Sequence, residues 1–143
     1  MWQRLSIAGL IFAFSACAPM PPLPGDAAAK RFEPVPDRAV IYLVRNQVER
    51  DFVASIMLND EPIGATYKGT FIRMVLPAGT HRIAGMAGDS GSIRVQTERG
   101  KIYFVDQRTM GFDSLTGSTF QIVNADFGRS LVLGGTMTSE VIR

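Results

Sequence analysis

Few side chains in this chain of 143 residues can carry chemistry. There is one thiol, Cys17, and one imidazole, His81, so neither a multi-histidine metal site nor a Cys/His nucleophile pair is expected. In the turn-to-strand run Gly79-Thr80-His81 the imidazole is expected to pack and to bond to backbone. Asp60 and Glu61 are adjacent carboxylates, but Asn59-Asp60-Glu61-Pro62 reads as a hairpin turn, where acidic residues serve as solvated turn formers. Gly88-Asp89-Ser90-Gly91 offers the oxygens and glycines of a calcium loop. A calcium ion wants six or more oxygens, so a flexible loop is the expectation. Gly134-Gly135 lacks the lysine that completes a phosphate loop. Arg73, Arg82, Arg94 and Arg99, joined by Tyr67, Tyr103 and Phe112, form a candidate surface for glycan or anionic lipid, set against the ordinary charged outer face of a sheet. No catalytic residue, metal or cofactor is expected.

The setting of Cys17 is more specific. A short basic start with Arg4 precedes an apolar run over residues 5–14, the order and length of a secretory signal. That run is about half of the roughly 20 residues a spanning helix requires. The approach Phe14-Ser15-Ala16-Cys17 resembles the lipobox of bacterial lipoproteins, with Phe14 where that family usually carries Leu, Val or Ile. The resemblance implies cleavage before Cys17 and transfer of diacylglycerol to its thiol. Ordinary cleavage after Ala16-Cys17-Ala18 would leave Pro19 directly after the cut, a poor fit for that peptidase. Ala18 stands where an aspartate commonly retains enteric lipoproteins at the inner membrane, which implies the outer membrane, facing the periplasm.

Composition bounds the rest. Loss of residues 1–16 removes Arg4 from the 15 basic side chains, leaving 14 against 13 acidic ones and a net charge near +1. Such a balance gives no nucleic-acid footprint. With its thiol acylated, the mature domain has no disulfide to draw on and must hold by packing. Residues 17–37 read as a lipidated proline-rich tether: Pro19, Pro21, Pro22, Pro24, Pro34 and Pro36 favour extended backbone, and little apolar bulk lies between them. Fully extended, about 20 residues at roughly 3.1 Å each reach near 60 Å.

Residues 38–143 read as strands at short spacing. The run 39–45 is apolar on both pleat faces, as in a central strand. Residues 54–58 and 63–67 flank the polar turn as a hairpin, 71–76 ends at Pro77-Ala78-Gly79, and 80–86 follows. Strict alternation turns Ile93 and Val95 inward and Arg94 and Gln96 outward over 92–97. Strands are also expected at 101–106 and 119–124, separated by a glycine- and serine-rich loop at 108–118. A short helix over 126–133 would take Asp126 as N-cap and stop at Gly134-Gly135. Seven to eight short strands predict an all-β, antiparallel two-sheet sandwich or small barrel.

A strand ending in Arg45, the runs from Ile56 to Gly64 and Val75 to His81, and Arg99-Gly100-Lys101-Ile102-Tyr103-Phe104-Val105 together resemble a domain family of small bacterial lipoproteins without assigned activity. More distantly they are similar to the PEGA domain, a β-sandwich module. The resemblance covers about residues 38–124. It implies a fold and a location, and it brings no active-site residues. The expectation is a lipid-anchored envelope domain, non-enzymatic and acting by binding a protein or glycan or as a structural element. An adaptor or pilot subunit of an envelope machine and a small peptidoglycan hydrolase are the alternatives.

Overall fold

The computed structural model describes residues 21–46, 52–86, 88–112 and 115–143, and in them the protein is an all-β two-sheet sandwich. Cys17 and its surroundings lie outside the described residues. The chain runs through α1 (Asp26–Ala29), β1 (Ala39–Arg45), β2 (Ala54–Leu58), β3 (Glu61–Thr66), β4 (Thr70–Leu76) and β5 (Gly79–Gly85). It continues with β6 (Ser92–Thr97), β7 (Ile102–Phe112), β8 (Leu115–Val123), α2 (Ala125–Leu133) and β9 (Thr136–Ile142). One sheet has the order β8-β7-β1-β4-β9 and the other β3-β2-β5-β6.

Strand β1 is central and every residue in it is buried, as its two-faced apolar sequence requires. Its inward residues Ile41 and Leu43 join Ile56, Leu58, Ile72, Met74, Ile83, Val95 and Val105 in the core between the sheets. Its other face, Val40, Tyr42 and Val44, packs with Phe71, Phe104, Val132 and Met137 in a second core under the helices. The sandwich is therefore three-layered over the five-stranded sheet.

Several expectations need correction. The five-stranded sheet is mixed, because β1 runs parallel to β7 and β4 parallel to β9; the described residues contain nine strands. Residues 108–118 are largely strand: β7 and β8 pair in unbroken register from Phe104↔Val123 to Phe112↔Leu115. Glycine is depleted in strands by no more than about 1 kcal/mol, and the β-branched Thr109 and Thr116 in this run favour them. Helix α2 is capped by Asn124, whose Oδ1 accepts from the backbone N–H of Phe127 at 2.9 Å; Asp126 lies inside the first turn.

The tether expectation fails from Gly25 onward. Asp26 is buried and its Oδ1 accepts the Met137 N–H at 2.7 Å, while Oδ2 pairs with Lys30 Nζ at 2.7 Å. Phe32 meets Tyr42 and Phe104 edge-on, with ring centroids 5.6 and 5.9 Å away, and Val35 packs beside them. The segment is a cap on the outer face of the sheet. Tyr42 donates its hydroxyl proton to the Ala29 carbonyl at 2.7 Å. Burial raises the pKa of this phenol from 10, against the lowering effect of the Arg73 hydrogen bond and charge. The neutral phenol is thus the folded form: its contribution is complete below about pH 10 and is lost as pH rises through the raised folded value.

Candidate functional site

Along β7 the side chains of Phe104, Asp106 and Arg108 share the outer face of the five-stranded sheet, opposite Val123, Gln121 and Thr119 of β8. Helix α2 rests on the first pair, with Gly128 directly over Phe104. Beyond the helix the face opens into a groove of about 340 Å³ lined by Asp106, Arg108, Thr119, Phe120 and Gln121.

Asp106 floors this groove. It is only 4% exposed, between Val44 of β1 and Gln121 of β8. Its Oδ2 accepts from Arg108 Nε at 3.2 Å, whereas its buried Oδ1 has no hydrogen-bond partner. Leaving a buried acceptor unanswered costs about 1–3 kcal/mol, more when it is charged. The Arg108 side chain is 67% exposed, so it reaches into the groove from the solvent side. One negative and one positive group in contact leave the site close to neutral. The uncharged donors and acceptors of Thr119 and Gln121 surround them.

Two clamps fix the strands that carry these residues. On the reverse face of β7, buried Gln107 accepts from Thr66 Oγ1 at 2.6 Å and donates to Ser118 Oγ at 3.0 Å. Arg45, fully buried, donates from Nη1 to the Thr66 carbonyl at 3.1 Å and to that of Phe52, whose ring lies 4.7 Å from its guanidinium carbon. The second clamp is Asp89, whose Oδ1 accepts the backbone N–H groups of Gly91 at 2.9 Å and Ser118 at 2.8 Å. Gly88-Asp89-Ser90-Gly91 is thus a latch from the β5–β6 loop onto β8, in place of the flexible loop its composition suggests. Asp89→Ala is expected to cost about 2–3 kcal/mol by losing both bonds, while Asp89→Asn, which keeps an accepting oxygen, stays within about 1 kcal/mol. Urea unfolding midpoints of the two variants measure the difference.

The residues singled out from sequence are dispersed. His81 is buried and braced: Nε2 donates to the Pro77 carbonyl at 2.8 Å and Nδ1 accepts from Asn59 Nδ2 at 3.1 Å, a structural strut. Asn59 and Asp60, with φ of 51° and 68°, form the two-residue turn between β2 and β3. The Asp60 and Glu61 side chains are mostly exposed and pair with Arg82 and Arg143, each at 2.6 Å. The arginine and tyrosine surface does not assemble. Arg73 is on the outer face of the five-stranded sheet and is held by Glu140 at 2.5 Å. Arg82 and Arg94 are cross-strand neighbours on the four-stranded sheet, and Arg99 is exposed in the β6–β7 turn. Tyr103 packs toward the inter-sheet core and its hydroxyl accepts the Glu98 N–H at 3.0 Å, which corrects its expected outward position. Tyr67 is half-buried between β3 and β4, and the Phe112 side chain is outside what the structure describes. Gly134-Gly135 closes α2 and leads into β9. Asp106 was not legible as a site residue. The one available signal is its place in the row Ile102, Phe104, Asp106, where two apolar residues lead to a carboxylate on a face that is otherwise covered.

Among the described residues, no group of three or more His, Cys, Asp or Glu side chains converges as a metal site would require. No protein-family model matches the sequence. The chain is 27% identical over 137 residues, 92% of its length and 82% of the relative's, to a protein of Haemophilus influenzae described only as uncharacterized.

Proposed function

We propose that the protein is a lipoprotein of the bacterial cell envelope, anchored through Cys17 in the outer membrane and facing the periplasm, and that its sandwich acts as a non-enzymatic binding module. The binding reading rests on the β7–β8 groove of about 340 Å³, where the exposed Arg108 side chain, paired with buried Asp106, lies among the uncharged side chains of Thr119 and Gln121. Hydrolysis of a glycan or peptide needs a second acid or base to handle the leaving group or the attacking water. The groove lining supplies one carboxylate, already paired with Arg108.

The anchor reading rests on the sequence around Cys17, and the cap shortens its reach. Only seven residues separate Cys17 from Gly25, where the chain packs against the sheet. At about 3.1 Å per extended residue the domain would sit within roughly 25 Å of the lipid, well short of the 60 Å a full tether would allow.

Cys17→Ser tests the anchor. Acyl chains contribute about 0.8 kcal/mol per buried methylene, so two or more hold the wild type firmly at the membrane. The serine variant is expected to take up no radiolabelled palmitate and to leave the detergent-extracted membrane fraction or persist as precursor. Palmitate incorporation equal to the wild type's would refute the reading.

A further inference from the structure

The two sheets end in the edge strands β8, β9, β3 and β6, and the chain protects three of them. Along the seam between β3 and β9, Ser139 Oγ donates to the Ile63 carbonyl and Thr138 Oγ1 to that of Ala65, each at 3.0 Å. β3 also carries Pro62, which has no N–H to offer, and a bulge opposite Ile56 and Met57. β6 presents the exposed charge of Arg94. β8 has none of these devices: residues 115–124 contain no charged residue and no proline, and the register with β7 is unbroken. Only its first part is latched. Asp89 holds the Ser118 N–H, and the Ser118 carbonyl faces Gly91, where a Cβ would come within 1.8 Å of its oxygen. Both backbone groups of Ser118 thus point away from β7. Alternation along an antiparallel pair gives Phe120 and Ile122 the same direction, with no strand beyond them among the described residues. Thr119, Gln121 and Ile122 are exposed along this stretch.

We infer that two copies of this chain pair antiparallel through their β8 edges, about a two-fold axis at Gln121. Only this register sets both open residues of each copy against open residues of the other. Phe120 meets the partner's Ile122 and Ile122 meets the partner's Phe120, each pair exchanging both of its hydrogen bonds. An axis at Phe120 would set Ile122 against the partner's Ser118, which Asp89 already holds. An axis at Ile122 would set Phe120 against the partner's Asn124, whose carbonyl is taken by the Gly128 N–H in the first turn of α2. An aromatic ring beside a β-branched residue is a favourable cross-strand pair, and it covers Ile122, which is 48% exposed in the single chain. Thr119 meets the partner's Val123 and Gln121 the partner's Gln121, so no like charges stand opposite each other. Thr119 and Gln121 also line the β7–β8 groove, so the two grooves join across the axis into one cleft with the partner's Gln121 in its wall. The pairing goes beyond the binding-module reading and does not depend on what the groove holds.

The test uses the full chain purified in dodecyl maltoside, with light scattering on a size-exclusion column giving the protein mass. A dimer is expected. Gln121→Lys, at an exposed position, sets two like charges directly opposite at the axis. It is expected to raise the concentration for half dissociation at least tenfold with an unchanged far-ultraviolet circular dichroism spectrum, whereas the uncharged Gln121→Ser should keep the dimer. Two chains held only by a shared micelle would ignore the lysine. Single cysteines read the register. Opposed residues that exchange no hydrogen bonds lie about 4.5 Å apart at Cα, within reach of a disulfide, so Gln121→Cys is expected to cross-link under copper phenanthroline. Thr119→Cys would sit about 13 Å along the strand from its counterpart in the other copy, at about 3.3 Å per residue, and should not. The wild type, whose only thiol is Cys17, is the blank for both. The proposal is overturned by a monomer at every concentration or by a dimer that Gln121→Lys leaves intact. It is equally overturned if Thr119→Cys cross-links as readily as Gln121→Cys, or if neither does; this cysteine comparison decides by itself should the lysine variant misfold. A monomer whose Cys17 still takes up palmitate removes the pairing alone and leaves the anchor reading in place.

Discussion

A chain that begins at Arg38 will unfold at a much lower urea concentration than one that begins at residue 21, with a loss of about 5 kcal/mol or more. The segment from Gly25 to Val35 contains no strand, yet it covers the outer face of the five-stranded sheet. Its removal exposes Tyr42, which stacks on Phe104 at 5.3 Å, and leaves both rings without the edge of Phe32. Deleting a large aromatic from such a cluster costs about 3–5 kcal/mol, and each further buried apolar side chain adds about 1.5–3 kcal/mol. Val35, partly buried, and the single methyl of Ala29 add smaller amounts, on the order of 0.8 kcal/mol per buried methylene. Two polar bonds go as well: Met137 loses the Asp26 acceptor for its N–H, and Tyr42 loses the Ala29 carbonyl. A domain of this size has only about 5–15 kcal/mol in total, so the shortened chain is expected to be marginal and prone to aggregate through the uncovered aromatics. Equal unfolding midpoints for the two chains would show that the cap is not docked in solution.

Legibility followed sequence distance. The β2–β3 hairpin was readable because Asn59 and Asp60 tolerate the positive φ that a two-residue turn demands. β1 was readable because Val40, Tyr42 and Val44 are as apolar as Ile41 and Leu43, a pattern that only a strand covered on both sides requires. The cap and β9 were hidden for the opposite reason. Asp26 meets Met137 across more than 100 residues, and β9 pairs in parallel with β4 through a partner over 60 residues earlier. In Thr136–Ile142 the apolar positions are few, so alternation alone does not separate the strand from a polar tail. The prolines that suggested a tether are equally compatible with an extended segment lying on a sheet, since they forbid helix and central-strand pairing but not docking.

The candidate site was less readable than the fold. His81, Asp60 and Glu61 draw attention by residue type, and each is accounted for locally by a carbonyl, a turn or an arginine. Asp106 draws none, because a carboxylate in alternation with Val105 and Gln107 looks like the solvated side of an ordinary strand. Its burial comes from what the fold lays around it, with β1 on one side and β8 on the other. Its buried, unpaired oxygen is a property of three-dimensional neighbours that no spacing rule encodes.

Gly128→Ala is expected to destabilise the domain by about 1–2 kcal/mol, the reverse of what the same change does in an exposed helix. There, alanine gains about 1 kcal/mol over glycine from backbone entropy and solvation. Here Gly128 is buried in α2, and an added Cβ would lie 2.2 Å from Cγ and 2.4 Å from Cβ of Phe104. Atoms so near the β7 backbone cannot swing aside by a rotamer change, so the helix must lift from the sheet. Lifting it loosens Val132 from the second core and opens the aromatic cluster that the N-terminal cap also covers. Overpacking of this kind typically costs about 1–3 kcal/mol, and the helix-propensity gain offsets only part of it. Ser130→Ala, on the exposed side of the same helix, should stay within about 0.5 kcal/mol and so report propensity without the contact. In a Phe104→Gly background, which removes both Cγ and Cβ, the cost of Gly128→Ala should largely disappear, a coupling that urea unfolding of the four proteins in the double-mutant cycle measures directly. If Gly128→Ala instead raises stability in the wild-type background, α2 does not rest on Phe104 in solution, and the boundary of the Asp106 groove on that side would have to be redrawn.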